Sequence, residues 1–421
     1  MGYKSYKSYK NYKKYKNHSN EQFQKVNNDT FGPYGDGHVH SAGSTDALYS
    51  VDGLVNRAKK LGLNFLSITD HNNLDYVLEF LTRNELSKIK PYHQWDSLKF
   101  VPGVEVTCRI DGKDGINHKG NPSKVHLLVY SPIMTKDIPF VKLMELKHAN
   151  DIAYDFGNII NVAKSQEILL DEKDVRTFIE RKRDQVEGFS TIDRESMWEF
   201  FSKYYSGVFK SRKQLFNACS KIPQATRLNL DAKEVMDFAH DAGGICVLAH
   251  PQVSIDRMSK PEKALDVLID GGIDGFEMNC PSMRNEGYDL VKRACGRHNS
   301  KNPIIFTSGT DYHRRVDWRD LGWFKDYITK EVKYLSESGV STFLKELGNL
   351  DEVRNLGCDS HRRYDKAPRL ALQDRLEDIK TFVEENKYWE RKYPIFDTVL
   401  TSGIPEFEKQ IILWTTKNTN T

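Results

Sequence analysis

Seven short apolar runs in this chain read as β-strands, and nearly every one carries, or is closely followed by, a histidine or a carboxylate. They are GDGHVH, NFLSITD, FVPGVEVTC, KVHLLVY, ICVLAH, DGFEMNC and PIIFTSG. This demands a fold that carries the ends of separate strands to one place. Segments with apolar residues at helical spacing separate them: VDGLVNRAKKLG, Leu74 to Ile89, AKEVMDFAHDAGG, and stretches near 260–270 and 286–297. Strand and helix in alternation imply an α/β fold with a parallel sheet and crossover helices. Seven such strands can close into a barrel whose active mouth is the C-terminal face.

The residues at the strand ends have metal-ligand chemistry. The first strand ends His38-Val39-His40, with Asp46 six residues on, and the second ends Asp70-His71. The third carries Glu105, the fourth His126 and the fifth His250, and the last is followed by Asp311-Tyr312-His313. Six of the 13 histidines therefore fall at or just beyond strand ends, too many to read as scattered surface or core residues. Alternation along HVH puts both imidazoles on one side of the strand. Imidazole with carboxylate suits zinc, manganese or iron. Nine candidate ligands exceed the needs of one ion, so two or three divalent ions are expected. Such a centre generates a bridging hydroxide near neutral pH and clamps a phosphoryl group during in-line displacement.

Composition excludes several classes. No run approaches the ~20 apolar residues of a membrane span, and the N-terminus is polar and basic rather than a secretory signal. The six cysteines form no CxxC pair and sit partly in apolar runs, as expected of reduced packing residues in a cytoplasmic protein. Residues 1–16, MGYKSYKSYKNYKKYK, hold six lysines and no acid; 62 basic residues less these leave 56 against 59 acidic ones, so the remainder is near neutral. The Tyr/Lys tract reads as a disordered tail over residues 1–30. Its lysines could neutralise phosphates while its tyrosines stack on bases, although a merely solvated tail is the simpler reading.

Residues 133–230 interrupt the alternation with charged, helical-patterned sequence too long for a loop. They divide the barrel into 31–132 and 231–320. The interruption begins after a strand, so a helical cap over the mouth is expected. Residues 321–421 again read as mainly helical.

Taken in order, these motifs resemble the polymerase and histidinol phosphatase (PHP) family. HVHSAGSTDALYS and FLSITDHNN resemble its first two motifs, VPGVEV the third, VHLLVY the fourth, VLAHP the fifth and SGTDYH the last. The likeness covers roughly 34–130 and 231–315. It implies a distorted (β/α)7 barrel with a helical insertion, and a trinuclear site of His38, His40, Asp46, His71, Glu105, His126, His250, Asp311 and His313. Asp70 matches a family acidic position that orients a ligand or handles a proton.

The insertion is similar to the branch that includes nucleoside 3′,5′-bisphosphate phosphatases, AMP phosphatases and a 5′-to-3′ exoribonuclease. That branch often carries an Arg-Pro-His-like phosphate motif, of which no clear copy is present. Arg194, Arg212 and Arg227 are weak substitutes; Arg314 and Arg315, directly after a ligand, are better placed to grip phosphate bidentately. The resemblance implies a metal-dependent phosphoesterase acting on a nucleotide or short oligonucleotide. The alternatives are a phosphatase of a small non-nucleotide metabolite and a nucleic-acid-binding protein that uses the barrel as scaffold.

Overall fold

The structure, a computed structural model, describes residues 34–44, 47–168, 170, 194–219, 227–298, 304–314, 319–325, 332–335, 341–355 and 369–385. All seven expected strands form. They are β1 (Gly35–Val39), β2 (Phe65–Ile68), β4 (Leu98–Ile110), β5 (Ser123–Tyr130), β6 (Ile245–Leu248), β7 (Gly275–Asn279) and β8 (Ile305–Ser308), hydrogen-bonded in that order. A short β3 (His93–Trp95) pairs with β4 outside this path. A parallel bridge from Val39 to Tyr312 brings the chain beyond β8 back onto β1, with His40 N donating to Tyr312 O at 2.7 Å.

The helices follow from the same patterning. α1 (Val51–Leu61) buries Val51, Leu54, Val55 and Ala58 on one face. Ser50 caps its start, and Gly62, at φ 73°, ends it in the left-handed conformation. α2 (Asp75–Arg83) stops before the expected Ile89.

One expectation about the sheet needs correction: it is not parallel throughout. β5 runs antiparallel to both β4 and β6, because β4 and β5 are joined as a long hairpin with no crossover helix. Reversal puts the beginning of β5, not its end, at the mouth. It also means that the insertion leaves the barrel at the opposite face, where Tyr130 lies beside Gly103.

α3 (Pro139–Ser165) nevertheless carries the insertion back to the mouth. At 27 residues it is about 40 Å long. Phe140, Val141, Leu143 and Met144, near its start, pack in the core between barrel and outer helices. Ile159, Val162 and Ala163, near its end, form a second core with Met197, Phe200 and Phe201 of α4 (Arg194–Tyr204) and Leu215 of α5 (Arg212–Cys219). Between the two cores, Asp151 Oδ1 accepts from Lys147 Nζ at 2.7 Å and Arg227 Nε at 2.8 Å. Its Oδ2 accepts from Asn72 Nδ2 at 2.9 Å, tying α3 to the end of β2.

The second half of the barrel adds α6 (Ala232–Asp241), α7 (Pro251–Ile255), α8 (Pro261–Asp270) and α9 (Asn285–Arg297). Beyond it stand three short antiparallel strands, β9 (Arg319–Asp320), β10 (Trp323–Lys325) and β11 (Val332–Tyr334), which helical patterning did not anticipate. α10 (Ser341–Asn355) and α11 (Arg369–Glu385) then supply the expected helices. Phe343 and Leu347 of α10 close the barrel interior against Phe65, Val101, Leu128 and Tyr130. Leu372, Leu376, Ile379 and Val383 of α11 join the outer core. The five described cysteines are free, and four are buried; Cys358 lies outside the described residues, as does the Tyr/Lys tract. Among the described residues no helix is long and apolar enough to cross a membrane.

Burial alone would raise the Asp151 carboxyl, but Lys147 and Arg227 hold it at about 2. A depressed folded pKa contributes stability that is complete above the unfolded value of ~3.9 and is lost as pH falls through the folded one. Asp151→Asn removes the buried carboxylate that Lys147 and Arg227 share and is expected to cost about 3–5 kcal/mol at neutral pH. The difference from wild type in denaturant titrations should be constant above about pH 5 and shrink between about pH 4 and 2.

Candidate metal centre

The strand ends converge as the sequence requires. His38 and His40 both point into the barrel mouth, with their Nε2 atoms 3.0 Å apart. Glu105, in the middle of the long β4, reaches the same point from across the barrel. Its carboxylate lies 3.6 Å from His38 Nε2, 3.5 Å from His40 Nε2 and 2.6 Å from His71 Nδ1. It also lies 2.8 Å from His126 Nδ1 and 3.0 Å from His250 Nε2. Asp311 Oδ1 is 3.6 Å from His38 Nε2 and 3.4 Å from His40 Nε2. His313 stacks on His40 with ring centroids 4.1 Å apart. Eight of the nine candidate ligands therefore share one cavity; Asp46 lies outside the described residues.

Local backbone geometry aims three of these groups. Asn72, His250 and Asp311 follow the strand ends at φ 50°, 30° and 53°, a left-handed region that side-chain-bearing residues enter at a cost. The chain thus turns at once, leaving His71 and His250 directed inward. Asn72 is held by donation from its N–H to Glu105 O and by acceptance at Oδ1 from Thr107 N.

The donor set and its spacing fit divalent metal. Three groups of potential ligand atoms stand within 4.8 Å of one another: His40, His71 and His313; His38, His40 and Asp311; and His71, Glu105 and His126. Many of the separations are near 3.4 Å, the edge of a tetrahedron with metal–ligand bonds of ~2.1 Å. The buried Nε2 of His126 and Nδ1 of His250 have no hydrogen-bond partner. Ligation needs ionised carboxylates and neutral imidazoles, and the metal-free site meets this in part: against burial, Glu277 and Glu105 push His38 well above its ordinary value and Glu105 raises His250, whereas two other imidazoles are lowered. Burial opposes charge on Glu105, yet His126, His71 and His38 hold its carboxyl well below the usual range. Burial pushes His126 down to about 4 and, with the positive fields of His313 and His71, keeps His40 well below its ordinary value.

Two acids outside the cluster orient it. Glu277, on β7, is fully buried; its Oε1 lies 3.1 Å from His38 Nδ1, and its Oε2 accepts from His250 N at 2.7 Å. It fixes which nitrogen His38 presents to the cavity. Sequence reading passed over it, although an acid inside the apolar run DGFEMNC was the available signal. Gly309 lies against both residues: a Cβ there would come within 2.3 Å of Glu277 Oε1 and His38 Cβ.

Asp70 is the second. Its carboxylate accepts from Ser41 N at 2.7 Å, from Ser41 Oγ, and from Ser44 Oγ at 2.9 Å. Ser44 Oγ in turn lies 3.0 Å from His40 Nδ1. Burial raises the Asp70 carboxyl to about 6 against these hydrogen bonds. The contacts match a residue that orients His40 through Ser44. Arg314 follows His313 at the mouth and is partly buried, whereas Arg315 lies outside the described residues. A fourth group, His240, Cys246 and Asp274, lies at the far end of β6. There Asp274 Oδ2 accepts from Cys246 N at 2.7 Å and contacts His240 Nε2 at 2.9 Å, tying the end of α6 to β6 and β7.

The PHP domain model matches residues 36–245. A 5′-3′ exoribonuclease of Haemophilus influenzae is 25% identical over 301 residues, spanning 70% of this chain and 95% of that protein. The crystal structure of a protein assigned as a metal-dependent phosphoesterase, from Bifidobacterium adolescentis, superposes with a TM-score of 0.50 at 21% identity. It covers 75% of this chain and 95% of its own, and shows likeness of fold.

Glu277 touches His38 without facing the cavity, so Glu277→Gln should weaken metal binding without removing a ligand. The expected loss is about 10- to 100-fold in affinity, measured by titration with manganese, with the number of ions bound at saturation unchanged. Unaltered affinity would leave Glu277 as a packing residue.

Proposed function

This chain belongs to the PHP family and is a hydrolase of phosphoesters, and from that premise we propose that its substrate is the phosphate ester of a nucleotide or short oligonucleotide. The observation that carries this reading is the convergence of six histidines on Glu105 and Asp311, at spacings suited to several divalent ions. The nucleotide class draws support from the exoribonuclease relative, which aligns over 70% of this chain. The helical segment that α3 carries to the mouth supports a place in the branch with a helical insertion.

In this reading His38, His40, Asp46, His71, Glu105, His126, His250, Asp311 and His313 hold two or three ions of manganese, iron or zinc. Bound there, the ions supply an activated water and neutralise charge on the phosphoryl group. The protein does the rest by position. Glu105 and Asp311 compensate the positive charge, so the surrounding imidazoles can remain neutral donors. Glu277 and the Asp70–Ser44 pair hold His38 and His40 so that the site is formed before substrate arrives. Arg314 and Arg315, next to His313, contact the non-bridging phosphoryl oxygens. The Tyr/Lys tract of residues 1–16 adds a sequence-neutral contact to a nucleic-acid chain.

Phosphate or nucleotide release is measured with AMP, 3′,5′-bisphosphonucleosides, 5′-phosphorylated oligonucleotides and histidinol phosphate, with added manganese. Wild type should act on at least one nucleotide substrate, and a His250→Ala, Asp311→Ala double variant should lose that activity. Turnover of histidinol phosphate alone would move the assignment to small metabolites. A metal-loaded protein inert on the whole panel would sink the proposal. Deleting residues 1–16 should weaken oligonucleotide binding and its salt dependence while leaving AMP turnover in place.

A further inference from the structure

Asp311 and His313 lie beyond the last residue of β8, on a backbone that passes through the left-handed region at Asp311, φ 53°. A residue with a side chain holds that conformation at a cost, and only where its surroundings over-determine it. Two groups grip this turn. Asp36, on β1, accepts from Thr310 N at 3.0 Å and from Thr310 Oγ1 at 2.6 Å. Arg319, the first residue of β9, donates through Nη1 to Thr310 O at 3.1 Å and to Asp311 O. The same Nη1 lies 3.6 Å from Asp311 Oδ2.

The grip of Arg319 reaches both ligands. Asp311 Oδ1 faces His38 Nε2 and His40 Nε2 at 3.6 and 3.4 Å, so a guanidinium beside Oδ2 settles which carboxylate oxygen is left for metal. Asp311 O also accepts from His313 Nδ1 at 2.9 Å. A proton kept on Nδ1 leaves Nε2 as the donor, and Nε2 is the nitrogen that stands 3.5 Å from His71 Nε2. The guanidinium is itself placed by its strand. Adjacent strand residues point to opposite faces, and Asp320 reaches the other way, accepting from Arg57 Nε of α1 at 2.9 Å. Gly322 N donates to Asp36 Oδ2 at 2.9 Å, which fastens the same segment to β1.

We infer that Arg319 is a positioning residue of the metal centre, which holds Asp311 and His313 in ligating geometry through the backbone of residues 310 and 311. The segment 319–325, which stands outside the barrel strands, is then a working part of the site. Strand pairing alone does not account for a cation here: the residue opposite Arg319 is the buried, apolar Phe324, whereas three oxygens of the ligand turn meet one nitrogen of the guanidinium. Arg319 acts through Asp311 and His313, and its role rests on the metal-dependent phosphoesterase reading above.

Full-length wild type, Arg319→Gln and Arg319→Lys are titrated with manganese, and bound ions are counted by equilibrium dialysis. Two of the three ligand groups in the cavity include Asp311 or His313, whereas the third, His71, Glu105 and His126, includes neither. Arg319→Gln should weaken the ions that need Asp311 or His313 by about 10- to 100-fold, while the ion on the third group keeps its wild-type affinity. Arg319→Lys, which keeps a positive donor on a shorter stem, should recover part of the loss. A general loosening of the fold would weaken every ion alike; that result, an unchanged titration, or an Arg319→Lys no better than Arg319→Gln would overturn the role. If Arg319→Gln does not fold, nitrogen NMR of wild type titrated with zinc decides. The Arg319 guanidinium signals, assigned by their loss in Arg319→Lys, should show hindered rotation and move with zinc occupancy; signals indifferent to zinc would overturn the role. A wild type that binds no metal would remove the phosphoesterase reading together with this role, whereas variants that bind as wild type does would remove the role alone.

Discussion

The buried carboxylate of Glu105 sets the terms for the rest of this molecule. A full negative charge with no exposure is prohibitively costly unless positive partners or metal ions surround it. Five histidine rings face it at 2.6 to 3.6 Å, the donors that would share its metal ions. They come from β1, the end of β2, β5 and the end of β6, so the charge can be compensated only if the sheet curls until those elements meet. The closing bridge between Val39 and Tyr312 follows from the same need, since it brings Asp311 and His313 beside His38 and His40. Barrel closure and the ligand cluster are two aspects of one requirement.

Reversal of β5 is the second organising fact. In a parallel barrel a residue near the start of a strand lies far from the active mouth. His126 is near the start of β5 and still meets Glu105, because β5 runs against its neighbours. The same reversal sends the chain out at the opposite face and forces α3 to be long enough to return. Its two ends belong to separate cores, and Asp151 pins its middle to Asn72, next to His71. The insertion is thereby fixed to the histidine cluster's layer by a buried polar network.

Much of this was legible because strand and ligand signals coincide. Short apolar runs identified seven strands, the His, Asp and Glu candidates lie in or just beyond six of them, and eight of the nine named candidates gather in one cavity. Strand direction was not legible: KVHLLVY reads alike in either orientation, and only the missing helix between FVPGVEVTC and KVHLLVY marks a hairpin. Glu277 escaped for a different reason. It sits inside its strand and serves His38 from behind, where no motif spacing reveals it. The role of Asp70 was half legible, because its acidity and place beside His71 were visible but its link to His40 through Ser44 depends on how loop 41–44 folds back. The strands of 319–334 are too short to show a period.

The interior of the hairpin is layered, and the layers have a chemical order. Farthest from the mouth, Tyr130 and Leu128 pack with Phe343 and Phe65 and exclude water from below. Glu105 shares the layer of Leu128, so its carboxylate rests directly on apolar packing that strengthens every charge interaction around it. His126 forms the layer above, and Arg109 with Lys124 the outermost. Along this face long, flexible cationic side chains lie outermost and fixed, desolvated groups innermost. The charged groups of this face are therefore mobile at its outer edge and rigidly held at its base. A two-residue repeat suffices to build that gradient, because each step along β4 and β5 changes the chemistry of the face without changing its direction.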